Sequence, residues 1–313
     1  MHKLPFELKE EKIIFKQRGR IRNLQRRTAE ELLNFGIINL DKPAGPKSIH
    51  CVNKIRNILE THRAGHAGTL DPMVTGVLPI GIGKAVKVLS VLTTAGKIYE
   101  GKMHLHDDVT KEQIEDAFKK FTGEIEQLPP RISAVKRVLR KRKIYWLVLK
   151  KLDGKDAWFE VGCEAGTYIR KLCHDIGEYL KIGAHMSELR RIQSGPLKIE
   201  DSVTLQFVRS NYKRYIKTRS DVHIKKFILP PEKCVQHLPK VYIDSEVIAR
   251  VCHGSPIFAP GIIAYSDNIN KNDTVVIFDL DSNLIGLGVA EMSSEEIQKA
   301  EKGLAIKTDV VVI

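Results

Sequence analysis

The chain has 313 residues, of which 42% are hydrophobic and 28% charged, so it is long enough for about two folded domains, each with a hydrophobic core. It carries 51 Lys and Arg residues against 38 Asp and Glu residues, a formal net charge of +13, which favours an anionic partner such as a nucleic acid. No apolar run approaches the roughly 20 residues of a membrane-spanning helix, the N-terminus lacks the apolar segment of a signal peptide, and the five cysteines form no Cys-x-x-Cys pair. We therefore expect a soluble cytoplasmic protein without membrane contact, disulfides or a cysteine zinc site.

The N-terminal part predicts one short helix, one buried strand and one longer helix. Residues 1–27 are basic and weakly periodic, and the string Thr28-Ala29-Glu30-Glu31 predicts a capping box at the start of a helix. Residues 36–40 are typical of a buried strand. After a loop rich in Pro and Gly, Ser48 is predicted to cap a helix that leads into the next loop.

That next loop, Gly65-His66-Ala67-Gly68-Thr69-Leu70-Asp71-Pro72, displays one acidic side chain between glycines and a proline. Gly65 and Gly68 permit backbone angles that other residues avoid, and Pro72 biases Asp71 toward an extended conformation. The string has two interpretations on its own terms: an ordinary Asp-Pro turn, or a loop shaped to present the Asp71 carboxylate for chemistry.

The middle of the chain predicts a strand at 77–82, a helix across 84–92 and a strand at 98–106. The last of these alternates cleanly, which directs Tyr99 toward the core or a cleft. Thr110 with Gln113 predicts a second capping box.

A basic run follows in Lys136–Lys151, which holds eight basic residues and no acidic one. Strands predicted at 133–139 and 143–152 flank part of it, which suggests a projecting basic hairpin. Its cations are candidate phosphate contacts: Lys136, Arg137, Arg140, Lys141, Arg142 and Lys143. A third strand is predicted at 157–165.

A helix is predicted from Gly166 to Leu180, with Tyr168 and Arg170 in its first turn, where anions are favoured. A strand is predicted at 188–197. A second basic run, Arg209–Lys226, has seven basic residues against one Asp.

Near residue 238 the composition changes from basic to acidic. Residues 239–313 hold 6 Lys and Arg against 11 Asp and Glu, a balance of −5, which leaves +18 on the first 238 residues. Short strands separated by turn residues predict a small β-barrel-like module in this tail. We expect an N-terminal extension at 1–35, a main domain at 36–238 and a terminal domain at 239–313.

Other site classes fit the sequence less well. His104-Leu105-His106-Asp107-Asp108 places two imidazoles on one strand face, as a zinc site does, but further ligands are not evident; exposed histidines or RNA contacts are the alternatives. The sequence has neither the Gly-x-Ser-x-Gly string of a serine hydrolase nor the glycine-rich motifs for ATP or NAD. We expect no cofactor and no metal.

Several strings in order resemble the TruB/dyskerin family of RNA pseudouridine synthases. These are Gly65–Pro72 with Thr75-Gly76-Val77-Leu78-Pro79, Lys97-Ile98-Tyr99, Glu164-Ala165-Gly166-Thr167-Tyr168-Ile169-Arg170, and Ser187-Glu188-Leu189-Arg190-Arg191. The resemblance is close over about residues 36–200, and residues 239–313 resemble the family's RNA-binding PUA domain. The N-terminal extension and the segment Arg131–Tyr145 are most similar to the archaeal dyskerin homologues, the catalytic subunits of box H/ACA guide-RNA particles.

The resemblance implies an α+β fold, with a mixed, largely antiparallel sheet and flanking helices, plus the PUA domain, on which the extension packs. It implies that Asp71 is the catalytic nucleophile or base, that Tyr99 stacks on the target base and assists proton removal, and that Arg170 orients Asp71. Tyr168 and Leu189 then shape the pocket. His66 contacts the surroundings of the displaced nucleotide.

Three functions remain open from the sequence. The first is a pseudouridine synthase of rRNA or tRNA that works with a box H/ACA guide RNA and small protein subunits. The second is a stand-alone synthase for the T-loop (position 55) of tRNA. The third, of another class, is a non-catalytic RNA-binding scaffold.

Overall fold

The structure is a computed structural model that describes residues 2–23, 27–129 and 137–312. Within these ranges there are ten α-helices: α1 Ala29–Asn34, α2 Ser48–Leu59, α3 Leu89–Thr94, α4 Lys111–Lys120, α5 Ile169–Tyr179, α6 Leu205–Thr218, α7 Asp221–Lys225, α8 Glu232–Val235, α9 Ser245–Cys252 and α10 Ser294–Lys299. The same ranges contain sixteen strands: β1 Ile13–Phe15, β2 Phe35–Lys42, β3 Ala64–His66, β4 Thr75–Gly83, β5 Lys97–Leu105, β6 Gly123–Gln127, β7 Arg140–Asp153, β8 Asp156–Cys163, β9 Ala184–Ser194, β10 Leu197–Lys198, β11 Lys240–Ile243, β12 Ile257–Phe258, β13 Ile262–Ser266, β14 Thr274–Phe278, β15 Leu284–Ala290 and β16 Leu304–Val311.

The larger sheet has nine strands in the order β2-β4-β9-β5-β8-β7-β6, with β3 paired to β4 and β10 to β9. Its pairs are antiparallel except for β4 with β9. The apolar faces of α2, α4, α5 and α6 form one core against this sheet. The prediction of an α+β fold with a mixed, largely antiparallel sheet is therefore confirmed.

The smaller sheet has seven strands in the order β1-β13-β11-β14-β15-β16-β12, and six of them come from residues 240–311. The remaining strand, β1, belongs to the N-terminal segment and pairs antiparallel with β13. A shared apolar cluster joins this sheet to the larger one and includes Ile37, Val77, Tyr242 and Phe278. The N-terminal segment thus packs on the C-terminal unit through backbone hydrogen bonds, which its weak periodicity did not reveal.

Local sequence signals set several helix starts. The predicted capping boxes at Thr28 and Thr110 are both present. The prediction that Ser48 caps α2 is wrong, because Lys47 is the N-cap and Ser48 is the first helical residue. Tyr168, predicted in the first turn of α5, is instead its N-cap residue.

The prediction of a projecting basic hairpin is also wrong for the residues that the structure describes. Residues 137–139 are not in a strand, and residues 130–136 lie outside the described ranges. The basic residues 140–143 lie within β7, which pairs with β6 on one side and β8 on the other. The strand β6 was not predicted, because its string, Gly-Glu-Ile-Glu-Gln, is polar and its pairing with β7 depends on a contact distant in sequence.

In the described parts of the chain, the longest and most apolar helices fall short of what a membrane crossing requires.

Candidate active site

Asp71 lies in the loop between β3 and β4, and these strands pair with each other. Ala64 is opposite Ile82, and the N–H of Ala67 donates to the carbonyl of Pro79 at 2.9 Å. Both ends of the loop are therefore fixed to one strand of the sheet. The N–H of Val74 donates to the carbonyl of Asp71 at 3.1 Å, which closes a turn directly after the carboxylate.

Lys42, at the end of β2, binds the part of this loop that follows Asp71 in the chain. Its side chain is fully buried, and Nζ donates to the carbonyls of Pro43, Pro72 and Val74 at 2.9, 2.9 and 2.8 Å. Burial lowers the pKa of Lys42. One ammonium group thus satisfies three turn carbonyls and fixes the backbone that follows Asp71.

Ser48 binds the residue that precedes Asp71 in the loop. Its hydroxyl donates to the carbonyl of Leu70 and accepts from the N–H of Leu70, each at 2.9 Å. The residue before Asp71 is therefore attached to the first turn of α2. The side-chain oxygen of a serine often caps a helix by accepting from a backbone N–H of the first turn, but the Ser48 hydroxyl instead binds a residue 22 positions away.

Arg191, on β9, supports the loop from inside the protein. It is 1% exposed, its Nε donates to the carbonyl of Val77 at 2.7 Å, and its Nη2 donates to the carbonyl of Gly68 at 3.0 Å. Gly68 has a φ of +74°, and a Cβ at this position would lie 3.3 Å from Nη1 of Arg191. Glycine is therefore favoured here by both the backbone angle and the close guanidinium.

The Asp71 carboxylate forms an ion pair with Arg170, through Oδ2 and Nη2. The side chains are 54% and 52% exposed, so the carboxylate is accessible while its backbone is fixed. Arg170 lies in the first turn of α5, whose start is held by the buried Gln127. The Gln127 amide accepts from the N–H of Tyr168 at 2.9 Å and donates to the Tyr168 carbonyl at 3.1 Å.

Tyr99 and Leu189 lie on the neighbouring strands β5 and β9. Tyr99 is opposite Arg191, and Leu189 is opposite Gly101. Because Leu189 and Arg191 are two residues apart on β9, both side chains lie on the same face of the sheet as Tyr99. Burial raises the pKa of Tyr99, and the adjacent Arg191 guanidinium opposes this. Arg191 therefore contacts both Tyr99 and the loop that carries Asp71.

His66 ends β3, directly before the loop. Burial and the positive charge of Arg191 lower the pKa of His66. Its Nδ1 is buried without a hydrogen-bond partner among the described residues. The neutral imidazole is therefore favoured at the base of the loop.

The basic run does not form one free surface. Lys136 lies outside the described residues, and Arg137 is exposed. Lys141 pairs with Glu124 of β6 at 2.8 Å. Arg142 lies close to Gly166, its Nη2 3.1 Å from where a Cβ would stand, so it contacts the loop before α5. Arg140 is half-buried, and the N–H of Lys143 donates to Glu164 at 3.1 Å.

The histidine-rich string at the end of β5 uses its imidazoles within the sheet. His104 Nδ1 and Asp156 Oδ1 are 2.7 Å apart, and His106 Nε2 and His185 Nδ1 are 2.9 Å apart. Across the residues placed by the structure, no group of three or more His, Cys, Asp or Glu residues is arranged to hold a metal ion.

Lys42, Ser48 and Arg191 were not predicted as parts of the site. Apart from the bond from Lys42 to the adjacent Pro43, their contacts join residues 22 to 123 positions apart, which local periodicity cannot reveal. One signal was present for Arg191: consecutive arginines on a strand point to opposite faces, so one of Arg190 and Arg191 must face inward.

Comparisons with known proteins agree with this geometry. Residues 56–169 match the family described as TruB family pseudouridylate synthase (N terminal domain), and residues 170–236 match the tRNA pseudouridylate synthase B C-terminal domain. Residues 239–312 match the PUA domain.

Curated relatives and solved structures match nearly the whole chain. "Probable tRNA pseudouridine synthase B" of Methanopyrus kandleri is 44% identical, covering 92% of this chain and 86% of the relative; the protein of that name in Pyrococcus furiosus is 46% identical, covering 92% and 85%. A chain in the crystal structure of a Cbf5-Nop10-Gar1 complex superposes with a TM-score of 0.93 at 43% identity, covering 99% of this chain and 96% of that one. A chain in the structure of an H/ACA RNP bound to a substrate RNA containing 2′-deoxyuridine superposes with a TM-score of 0.92 at 40% identity, covering 100% and 97%.

Proposed function

Because this chain belongs to the TruB family of pseudouridylate synthases, we propose that Asp71 is the residue with which it converts uridine to pseudouridine in RNA. The observation that carries the assignment is a half-exposed carboxylate on a loop whose backbone is fixed from three sides by Lys42, Ser48 and Arg191. A reacting group must be accessible, and its position must be held.

The reaction is an isomerisation. The bond between N1 of uracil and C1′ of ribose breaks, the base turns, and C5 bonds to C1′; C5 then loses a proton and N1 gains one. No oxidant, reductant or external energy source is required. A single carboxylate can act either as a nucleophile on the ribose or as a base that removes a ribose proton. In both cases Arg170 holds the carboxylate in one direction through the ion pair.

Tyr99 and Leu189 form the wall that receives the base. Stacking of a base on an aromatic ring contributes about 1–3 kcal/mol, which offsets much of the few kcal/mol needed to remove the base from its stack. We assign to Tyr99 a second role, assistance in removing the C5 proton, and to Tyr168 and His66 contacts with the substrate. Arg137, Arg140, Lys141, Arg142, Lys143 and Lys136 are assigned to RNA phosphates.

We infer that the chain is the catalytic subunit of a box H/ACA particle that selects uridines in rRNA or tRNA with a guide RNA. The support is its likeness over 97–100% of its length to chains in structures described as Cbf5-Nop10-Gar1, Nop10-Cbf5 and H/ACA RNP complexes. The proposed partners are accordingly a guide RNA and small proteins of the Nop10 and Gar1 kind. Residues 239–313 are proposed as the RNA-binding domain and residues 1–35 as an extension that packs on it.

The second candidate is a stand-alone tRNA synthase, which the names of the curated relatives favour. The active site is the same in both, so only substrate selection distinguishes them. Purified protein with tRNA tritiated at C5 of uridine, without and with guide RNA and the two partner proteins, decides between them, because the reaction releases the C5 hydrogen to water. Full-rate release by the protein alone would refute guide dependence.

The catalytic assignment is tested by Asp71→Asn, which should abolish tritium release. Asp175→Asn is the matched control, since Asp175 forms an ion pair with Lys171 on the same helix as Arg170. We expect the control to keep near-normal activity. Tritium release by Asp71→Asn at a rate near that of the unmodified protein would show that another group performs the chemistry.

A further inference from the structure

A basic groove lies between α2 and α6, away from the Asp71 loop. Its volume is about 740 Å³, and it is lined by residues of the second half of α2 and of α6. The first residue of α2, Ser48, contacts the loop, whereas Asn57 in the groove is nine residues later, roughly 14 Å along the helix axis. One helix therefore connects the active-site loop to the groove.

Five cations line this groove: Lys54, Arg209, Lys213, Arg214 and Lys217. All five are exposed, and in the described ranges none of their side chains forms an ion pair or a hydrogen bond. Lysines on two other helices differ, because Lys225 on α7 pairs with Asp221 and Lys171 on α5 pairs with Asp175. Glu60 is the one acidic residue in the lining, so most of the positive charge is uncompensated within the groove.

The cations on α6 are regularly spaced. Arg209, Lys213 and Lys217 follow one another at intervals of four residues, which places them on one face at steps of about 6 Å along the axis. Like charges at this spacing destabilise a helix. An external polyanion with repeating charges removes that cost, whereas a single small anion reaches only one or two of these cations.

The floor of the groove is apolar and fixed. The Tyr212 hydroxyl donates to the carbonyl of Leu59 at 3.3 Å, which ties α6 to the end of α2. Ile216 is 44% exposed beside it, and Ile58 is half-buried. Cations at the rim and aliphatic surface at the floor suit a strand whose phosphates bind the rim while its sugars pack against the floor.

We propose that this groove binds the phosphodiester backbone of an RNA segment that lies outside the active site. The inference rests on the proposed function, because an enzyme that acts on RNA provides the polyanion. It assigns a role to the basic run Arg209–Lys226, which the active site does not use.

The test compares two double variants of the full chain with equal charge loss. Lys213→Gln with Lys217→Gln removes two groove cations, and Lys111→Gln with Lys120→Gln removes two exposed cations from α4. Glutamine keeps helix propensity close to that of lysine. The probe is a fluorescein-labelled RNA hairpin without uridine, so binding is measured separately from catalysis.

We expect the groove variant to bind the hairpin at least tenfold more weakly at about 0.1 M salt and to lower the slope of log K against log salt by roughly 2, since each phosphate contact contributes about 0.9. The control should change less than twofold. Equal binding by both variants would overturn the proposal. The proposal would also be overturned if the groove variant kept its RNA binding but lost binding to labelled polyglutamate. That result would show that the groove binds an acidic protein segment.

A second measurement does not depend on the charge changes. Ile216→Cys in a Cys252→Ser background places a benzophenone label in the groove, since Cys252 is the exposed cysteine of the chain and the other four are buried. The label should cross-link to the hairpin, and a label at Lys111→Cys should not; absence of the groove cross-link contradicts the proposal. Asp71→Asn should retain both binding and cross-linking, so a failure of the catalytic assignment and a failure of the groove assignment give different results.

Discussion

Arg191→Met is the substitution that most directly tests how the active-site loop is positioned. Methionine has a similar length but no donors, so the carbonyls of Val77 and Gly68 lose their partners at 2.7 and 3.0 Å. Two hydrogen bonds to a charged group contribute about 3–6 kcal/mol. Removing a buried guanidinium that has no ion pair with a described residue recovers several kcal/mol of desolvation. We therefore expect the free energy of unfolding to fall by only about 1–3 kcal/mol.

The activity should fall far more than the stability. Without Arg191, the Gly68 carbonyl is no longer fixed relative to Tyr99, and Asp71 is three residues further along the loop. A displacement of about 1 Å at a reacting group costs on the order of 100-fold in rate. We expect kcat for tritium release to fall by about this factor with little change in KM, because the substituted side chain is not at the substrate surface.

Arg190→Met is the matched control on the adjacent residue. Arg190 forms a bidentate pair with Asp41 at 3.0 and 2.8 Å, and the two side chains are 39% and 27% exposed. A partly exposed pair of this kind contributes about 0–1 kcal/mol, so its loss should leave kcat within a few-fold of normal. Equal loss of kcat in both variants, or normal kcat in Arg191→Met measured where it is fully folded in a urea titration, would refute the positioning role.

Three further outcomes follow from the same contacts. Gly68→Ala should lower the free energy of unfolding by about 1–2 kcal/mol in urea titrations and lower kcat as well, because φ is +74° and the new methyl group would face Arg191 at 3.3 Å. Lys42→Met should lower both quantities by leaving three carbonyls unpaired, and Lys42→Arg should restore part of the stability. Burial lowers the pKa of His237 from 6.5 to about 4. His237 therefore takes up a proton at a higher pH in the unfolded chain than in the folded one. The His237 contribution to the free energy of unfolding is fully present above pH 6.5 and should fall by about 3 kcal/mol as the pH drops to about 4. In His237→Gln that loss should be smaller; an identical pH profile would contradict it.

The sequence predicted elements whose signals are local. The capping boxes at Thr28 and Thr110 and the alternation around Tyr99 each depend on residues within one element, and the structure has all three. The family resemblance predicted the pair between Asp71 and Arg170, which are 99 residues apart. Local periodicity alone does not predict such a contact.

The parts that were missed depend on partners distant in sequence. The strand β6 has alternating exposed glutamates and forms because β7 lies beside it, with Glu124 opposite Lys143 and Glu126 opposite Lys141. The short strand β1 has three residues and forms by pairing with β13, about 250 residues away. Propensity over so few residues is too weak to decide between strand and loop.

Hydrophobic patterning does not predict the two buried cations that hold the active-site loop, Lys42 and Arg191. Both are charged residues, which are usually exposed, and both are nevertheless buried, with their donors on the backbone of the loop and of its flanking residues. A loop that exposes its side chains turns several carbonyls inward, and these need donors that a neighbouring strand cannot provide at that geometry. An ammonium with three N–H bonds and a guanidinium with a planar fork satisfy several carbonyls at once, which a serine or an amide does not. The protein thus buries two cations because it exposes Asp71 on a rigid backbone. Replacing either cation by an apolar residue should disorder the loop more than it lowers the free energy of unfolding.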